Sequence, residues 1–480
     1  MGRVVLVNPP LSMEERLYPG LEKMRINYPP LGLCYLAAVL KEAGFEVRIF
    51  DFQIQEIDYQ EAANKILNES PTYIGITSTT VAINNAAHLA KTLKEKDTQT
   101  QIILGGPHVS ALPIETMKRF SQFDVGVIGE GEETVLELLN VLEEKGNLDE
   151  VRGLVIRKDG ELRLAERRDF IENLDTLPLP AWDLLPDFSN YGGSQFIGFE
   201  TRLTFRLITS RGCPFHCTFC DRNIFGNRYR MNSVDYILKM IKELYFRYGV
   251  RHIYFSDDNF TTSKTRTREL CRRLEEEHLD LTWDCNTRLD QVDLQLLKEM
   301  KRAGCQHIAY GIESGNQKIL NLLKKGTTLK QIERALQWTK DAGIDARGNF
   351  MLGNPGETKE TIEETIEFAK RLPLNTFKMS FFTPFPATEI YKEIEKYGRF
   401  DEDWEKLSKY SPVFIPHGLT QKDLERYFKM AYRSFYFRPK MVVHYLKRIK
   451  NLKALRLALK NFIILLGMLI KPRKREAQRV

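Results

Sequence analysis

The chain has 480 residues, 42% hydrophobic and 28% charged, and a formal net charge of +7. A length beyond one ordinary core predicts several domains, and the composition is that of a soluble α/β protein. The positive charge is no sign of nucleic-acid binding: residues 441–480 hold eleven Lys/Arg against the single acid Glu476, a net +10 that leaves about −3 on everything before it.

At the N-terminus the apolar run 4–7 ends at Asn8-Pro9-Pro10, too brief for a signal peptide. Leu6 stands where a myristoylation signal needs Ser or Thr. Residues 3–7 (RVVLV) read as a buried strand, 31–43 as a helix ended by Gly44, and 46–50 as a second strand. The unit then repeats. Strand 73–77 leads to helix 84–95, strand 101–104 ends in Gly105-Gly106, and strand 125–128 ends in Gly129-Glu130-Gly131 before a helix from Glu133. This alternation predicts a Rossmann-like, doubly wound parallel sheet over residues 1–145, with ligands beyond the carboxyl ends of its strands.

Residues 153–164 carry a hairpin pattern with Asp159-Gly160 at its turn, and 175–186 (DTLPLPAWDLLP) is proline-rich, so 146–200 reads as hairpin and linker. A second series occupies 201–400. Its strands fall near 205–209, 251–256, 281–286, 306–311, 345–352 and 375–381, alternating with amphipathic helices such as 234–248, 264–277 and 358–371. Six β/α repeats predict a partial barrel, short of the usual eight, with its functional groups at the strand C-termini. Residues 401–480 read as helical.

Seven cysteines is an odd number, and three of them lie within eight residues, in Arg211-Gly-Cys-Pro-Phe-His-Cys-Thr-Phe-Cys220. That spacing suits a metal better than a disulfide framework and points to a reducing cytoplasm. A [4Fe-4S] cluster commonly takes four thiolates. Cys213, Cys217 and Cys220, with no obvious fourth, would leave one iron open to a small molecule. Zinc is the competing ligand set, because His216 lies inside the loop. The position after a barrel strand and the aromatic Phe219 before the last cysteine favour the cluster. Cys271, Cys285 and Cys305 read as small core residues.

The pattern Cys-x3-Cys-x-aromatic-Cys resembles the signature of radical S-adenosylmethionine (SAM) enzymes, and the resemblance extends over about residues 205–385. It implies that SAM chelates the open iron and that an electron from the cluster cleaves it to methionine and a 5′-deoxyadenosyl radical. It also implies cofactor contacts at the strand ends: Asp257 and Asp258 with Asn259 after the second strand, Asn286 and Arg288 after the third, Glu313 and Ser314 after the fourth, and the Gly353–Gly356 turn after the fifth. Read from the residues alone, Asp257, Asp258 and Glu313 could equally be helix caps.

A doubly wound domain ahead of such a barrel resembles the cobalamin-binding domain of B12-dependent radical SAM enzymes, which include methylases and an anaerobic cyclase. In those folds a Ser/Thr segment after one strand and a Gly-Gly pair after the next surround the nucleotide tail. Thr77, Ser78 and Thr79 and then Gly105 and Gly106 match these places, with Gly129 and Glu130 on the following loop. Glycine suits a close approach without Cβ atoms. No histidine precedes His88, so the loop that often supplies the lower cobalt ligand does not supply one. A methylthiotransferase would need three more cysteines in this domain, which contains only Cys34.

The resemblance therefore implies a cobalamin-dependent radical SAM C-methyltransferase acting on an unactivated carbon, with cyclisation or rearrangement as the alternative and a non-enzymatic iron–sulfur sensor a distant third. It implies a small-molecule or lipid-like substrate and an external reductant such as flavodoxin or ferredoxin. In the tail, Lys453, Arg456 and Lys460 share a helical face, and the uncharged stretch 461–470 precedes Lys471, Arg473, Lys474 and Arg475. Ten apolar residues are too few to span a bilayer, which needs about 20. A helix lying on an anionic membrane surface and one packed on the barrel are both consistent with the pattern.

Overall fold

The computed structural model describes residues 1–10, 27–191, 202–407 and 410–447, and isolated positions between 449 and 467. The first sheet contains β1 (Arg3–Asn8), β2 (Glu46–Asp51), β3 (Tyr73–Thr77), β4 (Gln101–Gly105), β5 (Val125–Val127), β6 (Leu154–Lys158) and β7 (Glu161–Leu164), in the order β2-β1-β3-β4-β5-β6-β7. β1 to β5 are parallel, as the helix-strand alternation predicts. The order reverses between β1 and β3, which opens a crevice at their carboxyl ends. The 153–164 hairpin is not a free linker: β6 pairs antiparallel with β5 and extends this sheet to Leu164.

The proline-rich connector is a wedge between the two domains. Trp182 and Phe188 are buried, and Phe188 stacks on Phe205 at 4.6 Å and on Tyr248 at 4.3 Å. The Ala181 amide donates to the Cys34 carbonyl at 3.0 Å, which ties the connector to the first domain. One contiguous apolar cluster then runs from Leu31 and Ala38 through Trp182 to Ile237 and Phe255.

The second sheet comprises β8 (Thr204–Leu207), β11 (His252–Phe255), β12 (Thr282–Thr287), β13 (Cys305–Glu313), β14 (Asp345–Leu352) and β15 (Thr376–Phe381), all parallel. Between the first two lies a short antiparallel pair, β9 (Ser210–Arg211) with β10 (Arg230–Met231). β8 and β15 are edges that do not pair with each other, so the barrel is partial. The edge at β15 would expose unpaired backbone groups. Tyrosines of the helix Gln421–Tyr436 cover it: the Phe377 and Met379 amides donate to Tyr436 Oη (3.0 Å) and Tyr432 Oη (3.2 Å), and those hydroxyls donate back to the same residues' carbonyls.

Residues after 400 are not helical from the start. A two-stranded ribbon, β16 (Gly398–Phe400) with β17 (Phe414–Pro416), precedes the helices Gln421–Tyr436 and Pro439–Leu446. Most of 448–480, including all of the 461–470 stretch except 462, 463 and 467, lies outside the described residues. Among the described residues no helix is long and apolar enough to cross a membrane.

Candidate functional site

The cysteine loop is held in shape by its own backbone. Gly212 has φ +82°, and a Cβ there would run into the carbonyls of Phe225 and Arg228, so only glycine fits. The Thr218 amide donates to the Leu323 carbonyl at 3.1 Å, and Ile390 donates to the Thr218 carbonyl at 3.0 Å. Cys217 is buried, Cys213 half-buried and Cys220 exposed.

The charge around these thiols suits anionic sulfur. The Arg288 guanidinium donates to Cys217 Sγ at 3.6 Å and lies over the Phe215 ring at 3.7 Å. A hydrogen bond from Cys220, with the positive charges of Lys325 and Arg288, pulls the Cys217 thiol down to about 6 against the opposing effect of burial. Burial pushes Cys213 up. Thiolate is the metal-binding form. Among the described residues no three His, Cys, Asp or Glu side chains converge on a single ion. Zinc would require that, with each sulfur about 2.3 Å from one point, whereas a cubane gives each thiolate its own iron. His216 is exposed and completes no such set. Cys271, Cys285 and Cys305 are each 1% exposed or less, and burial raises all three thiols.

The strand-end residues divide by what already holds them. Asp257 accepts from Thr209 N (3.2 Å), Thr209 Oγ1 (2.8 Å) and Ser210 Oγ, and so ties β11 to the start of the cysteine loop. Its neighbour Asp258 is exposed, and its carboxyl is raised to about 6 by desolvation first and by the Asp257 charge second. Neither caps a helix, since Ser263 caps the next one. Asn259 Oδ1 accepts from Thr287 Oγ1 and the Arg288 amide, while its buried Nδ2 has no partner. Asn286 Oδ1 accepts from the Tyr254 hydroxyl at 2.6 Å.

Glu313 sits at φ +68° at a register shift of β13, and its carboxylate takes Lys325 Nζ at 2.9 Å. Left-handed backbone at a non-glycine residue costs energy and concentrates at functional sites. Ser314 Oγ is engaged with Thr365 Oγ1 (3.1 Å) and the Asn316 amide (3.1 Å). Asn316, not Glu313, caps the following helix.

The turn after β14 holds a carboxyl that the sequence reading did not single out. Glu357 is 1% exposed and accepts from the Gly353 and Asn354 amides and from Asn354 Nδ2, with no cation. Burial pushes its carboxyl from 4.5 up to about 7, against those hydrogen bonds. The folded chain therefore keeps a proton that the unfolded chain releases between about pH 4.5 and pH 7. Stability is expected to fall as pH rises through that window, by on the order of 3 kcal/mol, and to level off above it. Glu357→Gln cannot ionise, so urea melts below and above the window should show its slope abolished.

In the first domain the loops after β3 and β4 are cross-linked. Ser78 N donates to the Gly105 carbonyl at 3.0 Å and His108 N to the Ser78 carbonyl at 3.2 Å. Thr77 is half-buried, Ser78 buried and Thr79 exposed. The two adjacent glycines differ. A Cβ on Gly106, at φ +100°, would sit 2.8 Å from Ser78 O and from Thr77 Oγ1, whereas one on Gly105 or Gly129 meets nothing within 4 Å. Gly106 is required by the turn and Gly129 by its φ of +79°, while both Gly105 and Gly129 border an open cradle that side chains would fill. Gly105→Leu is therefore expected to melt within about 1 kcal/mol of the parent and to take up no cobalamin while keeping the cluster, and Gly106→Leu to lose stability as well. Thermal melts with cobalamin and iron assays separate the two outcomes; cobalamin uptake by Gly105→Leu would refute the cradle.

His108, also unremarked in the sequence, is fully buried under Trp404 at 4.6 Å with Nε2 unpartnered, and burial lowers it to about 4. Its burial could not be read from the sequence, because it depends on Trp404 returning to this domain.

Glu130 joins the two sites. Its carboxylate takes Arg211 at 2.8 Å and Arg230 at 2.7 Å and accepts the Ile171 amide at 2.9 Å, while Glu132 takes the other end of Arg211. All four side chains are buried. Arg211 and Arg230 are the paired residues of β9 and β10 that frame the cysteine loop, so the loop after β5 is clamped directly to it.

Residues 207–369 match the family described as Radical SAM superfamily, and residues 21–139 match the one described as B12 binding domain. The chain is 34% identical to Uncharacterized methyltransferase PH0819 of Pyrococcus horikoshii over 92% of this chain and 94% of that one. It is 28% identical to the anaerobic magnesium-protoporphyrin IX monomethyl ester cyclase of Rubrivivax gelatinosus, over 90% of this chain and 77% of that one. Among solved structures its fold is like that of the cobalamin-dependent SAM radical enzyme OxsB with aqua-cobalamin and SAM bound, with a TM-score of 0.76, 19% identity, and coverage of 98% of this chain and 72% of that one. With a cysteine loop and an open nucleotide cradle clamped together, and with a relative 34% identical over 94% of its length, the chain belongs to the B12-binding radical SAM enzymes, whose cofactors are a [4Fe-4S] cluster, SAM and cobalamin.

Proposed function

We propose that the protein is a C-methyltransferase acting on an unactivated carbon of a small-molecule substrate. The observation that carries this reading is the Glu130 clamp, which ties the edge of the cobalamin cradle to the cluster loop through Arg211 and Arg230. When bound, the cluster and SAM supply a 5′-deoxyadenosyl radical to take a hydrogen from the substrate, and cobalamin supplies the methyl group. The protein's part is to hold both at one recess. Cys213, Cys217 and Cys220 would ligate the cluster, with Arg288 and Lys325 offsetting their charge. Asp258, Asn259 and Asn286 present the polar groups at the rim that suit SAM, while Asp257, Glu313 and Ser314 brace the strand ends that carry them. Thr77, Ser78, Thr79, Gly105 and Gly129 would cradle the cobalamin tail.

Relatives named as methyltransferases or methylases support methyl transfer: besides the Pyrococcus protein they include the hopanoid C-3 methylase of Methylococcus capsulatus. The cyclase relatives keep cyclisation or rearrangement as the second reading. Incubation with methyl-labelled SAM, a reductant and candidate metabolites tests the first: label in a new C–CH3 group supports it, and an unlabelled cyclised product replaces it with the second.

The electron is expected from an external reductant of the flavodoxin or ferredoxin type, which the radical SAM chemistry of the family requires to reduce the cluster. Exposed Leu452, Leu459 and Ile463 beside the basic residues of the tail support contact with an anionic membrane. Each basic residue near such a surface is worth about 1 kcal/mol. Sedimentation with anionic liposomes at low salt, lost at high salt, is the expected result, and absence of sedimentation at low salt would refute the contact.

A further inference from the structure

In an ordinary barrel the interior positions are packed; here they are polar and partly exposed. Along β8, Phe205 and Leu207 are 1% exposed and belong to the outer core, so Arg206 between them faces inward. The same alternation on β14 and β15 turns Arg347, Asn349 and Lys378 inward, each half-buried while their neighbours are buried. Solvent therefore reaches a recess inside the barrel, and its wall carries three cations. The acids facing it are Asp284, which is held by His252 Nε2 at 3.2 Å, and Asp345.

Arg206 is the residue that folding does not explain. Among the described residues no hydrogen bond or ion pair engages its guanidinium, and Nε is buried without a partner. It is flanked by the rings of Tyr28 at 3.2 Å and Tyr254 at 4.7 Å, which shield the charge but offer no lone pair to its remaining N–H groups. Burial lowers its pKa, and the Arg347 charge acts in the same direction. A desolvated cation without an anion is costly, and the planar fork of arginine matches the oxygens of a carboxylate or phosphoryl group. On the same face of β14 as Arg347, Asn349 Oδ1 is a buried acceptor that has no partner among the described residues.

Resting on the methyltransferase reading, we propose that this recess receives an acidic group of the acceptor substrate, a carboxylate, phosphate or phosphonate, on Arg206 with Arg347 beside it. Arg206 lies three residues before Thr209, roughly 10 Å below the rim of the barrel along the strand. The acid anchors one end of the substrate there, and the carbon that reacts lies nearer the cysteine loop.

The test uses full-length protein loaded with cluster and cobalamin, at fixed ionic strength in chloride. Titration calorimetry with inorganic phosphate, methylphosphonate and acetate is expected to show saturable binding of at least one, weakened tenfold or more by Arg206→Gln, with SAM affinity unchanged. Preference for phosphate or methylphosphonate assigns a phosphoryl or phosphonyl substrate, and preference for acetate assigns a carboxylate. Arg206→Met removes the uncompensated charge, so without anion it is expected to melt at or above the parent and to bind none of the probes. Four results overturn the proposal: no probe binds the parent, Arg206→Gln binds as the parent does, the substitution weakens SAM instead, or Arg206→Met melts lower. None of these readouts involves methyl transfer. Anion binding without label transfer would refute the methyltransferase reading alone, and label transfer without anion binding would refute this one alone.

Discussion

Replacing Cys213, Cys217 and Cys220 together by alanine is expected to leave a folded, cobalamin-binding protein that holds no cluster and makes no 5′-deoxyadenosine. The expectation of survival rests on the loop, which is fixed by backbone contacts such as Thr218 to Leu323 and by Gly212, not by the thiols. Cys213 is half-buried and Cys220 exposed, so both contribute less packing than Cys217. Only Cys217 is buried, and a small apolar replacement there forfeits about 1 kcal/mol at most. The loss of chemistry should be complete, because the three thiolates are the cubane's whole set of protein ligands and the triple variant removes all of them. Iron and sulfide analysis of the anaerobically reconstituted variant, with chromatography for 5′-deoxyadenosine, checks both halves. A triple variant that kept about four irons per chain would remove these cysteines from the cluster.

The second large effect is expected at the clamp. Glu130→Ala strands Arg211 and Arg230 in a buried position with half their counter-charge gone, and removing one partner of a buried pair costs about 3–5 kcal/mol. Glu130→Gln keeps the acceptor for the Ile171 amide and should cost less. A double-mutant cycle of Glu130→Ala with Arg230→Met should return a coupling of about 1–3 kcal/mol, since the two groups are 2.7 Å apart. Urea unfolding measures the cost, and cobalamin titration of the same proteins separates the roles. Small stability loss with cobalamin affinity abolished would make Glu130 a cofactor contact, as the sequence reading had it, and not a clamp.

How much was legible in the sequence depended on the range of the signal. The three cysteines lie within eight residues, so local pattern sufficed to bring Cys213, Cys217 and Cys220 to one loop, whereas Asp258 and Asn286 follow different strands and become neighbours only because β11 and β12 pair in parallel. The strands themselves were readable because each is an apolar run bounded by glycine or a polar turn, as in 73–77 and 345–352. The hairpin 153–164 was equally readable as a hairpin, yet nothing local says that β6 joins β5, because strand pairing is decided by which edge is open.

Single residue types were read less well. Gly105 and Gly106 look alike in the sequence, and only their surroundings separate a turn that forbids a Cβ from a cradle that would be filled by one. Asp257 and Asp258 look alike too, but one is consumed by Thr209 and Ser210 while the other stays exposed.

By itself the sequence determined the order of elements, the cluster loop, the Gly-Gly turn and the basic tail, all of which follow from residues close along the chain. Tertiary structure alone decided that Glu130 meets Arg211 and Arg230 across the domain boundary, that Trp404 returns to cover His108, and that Arg206 stands uncompensated inside the barrel. These are contacts between residues 81 to several hundred positions apart. A charge's partner, or its lack of one, is set by packing, and packing is not written in neighbouring residues.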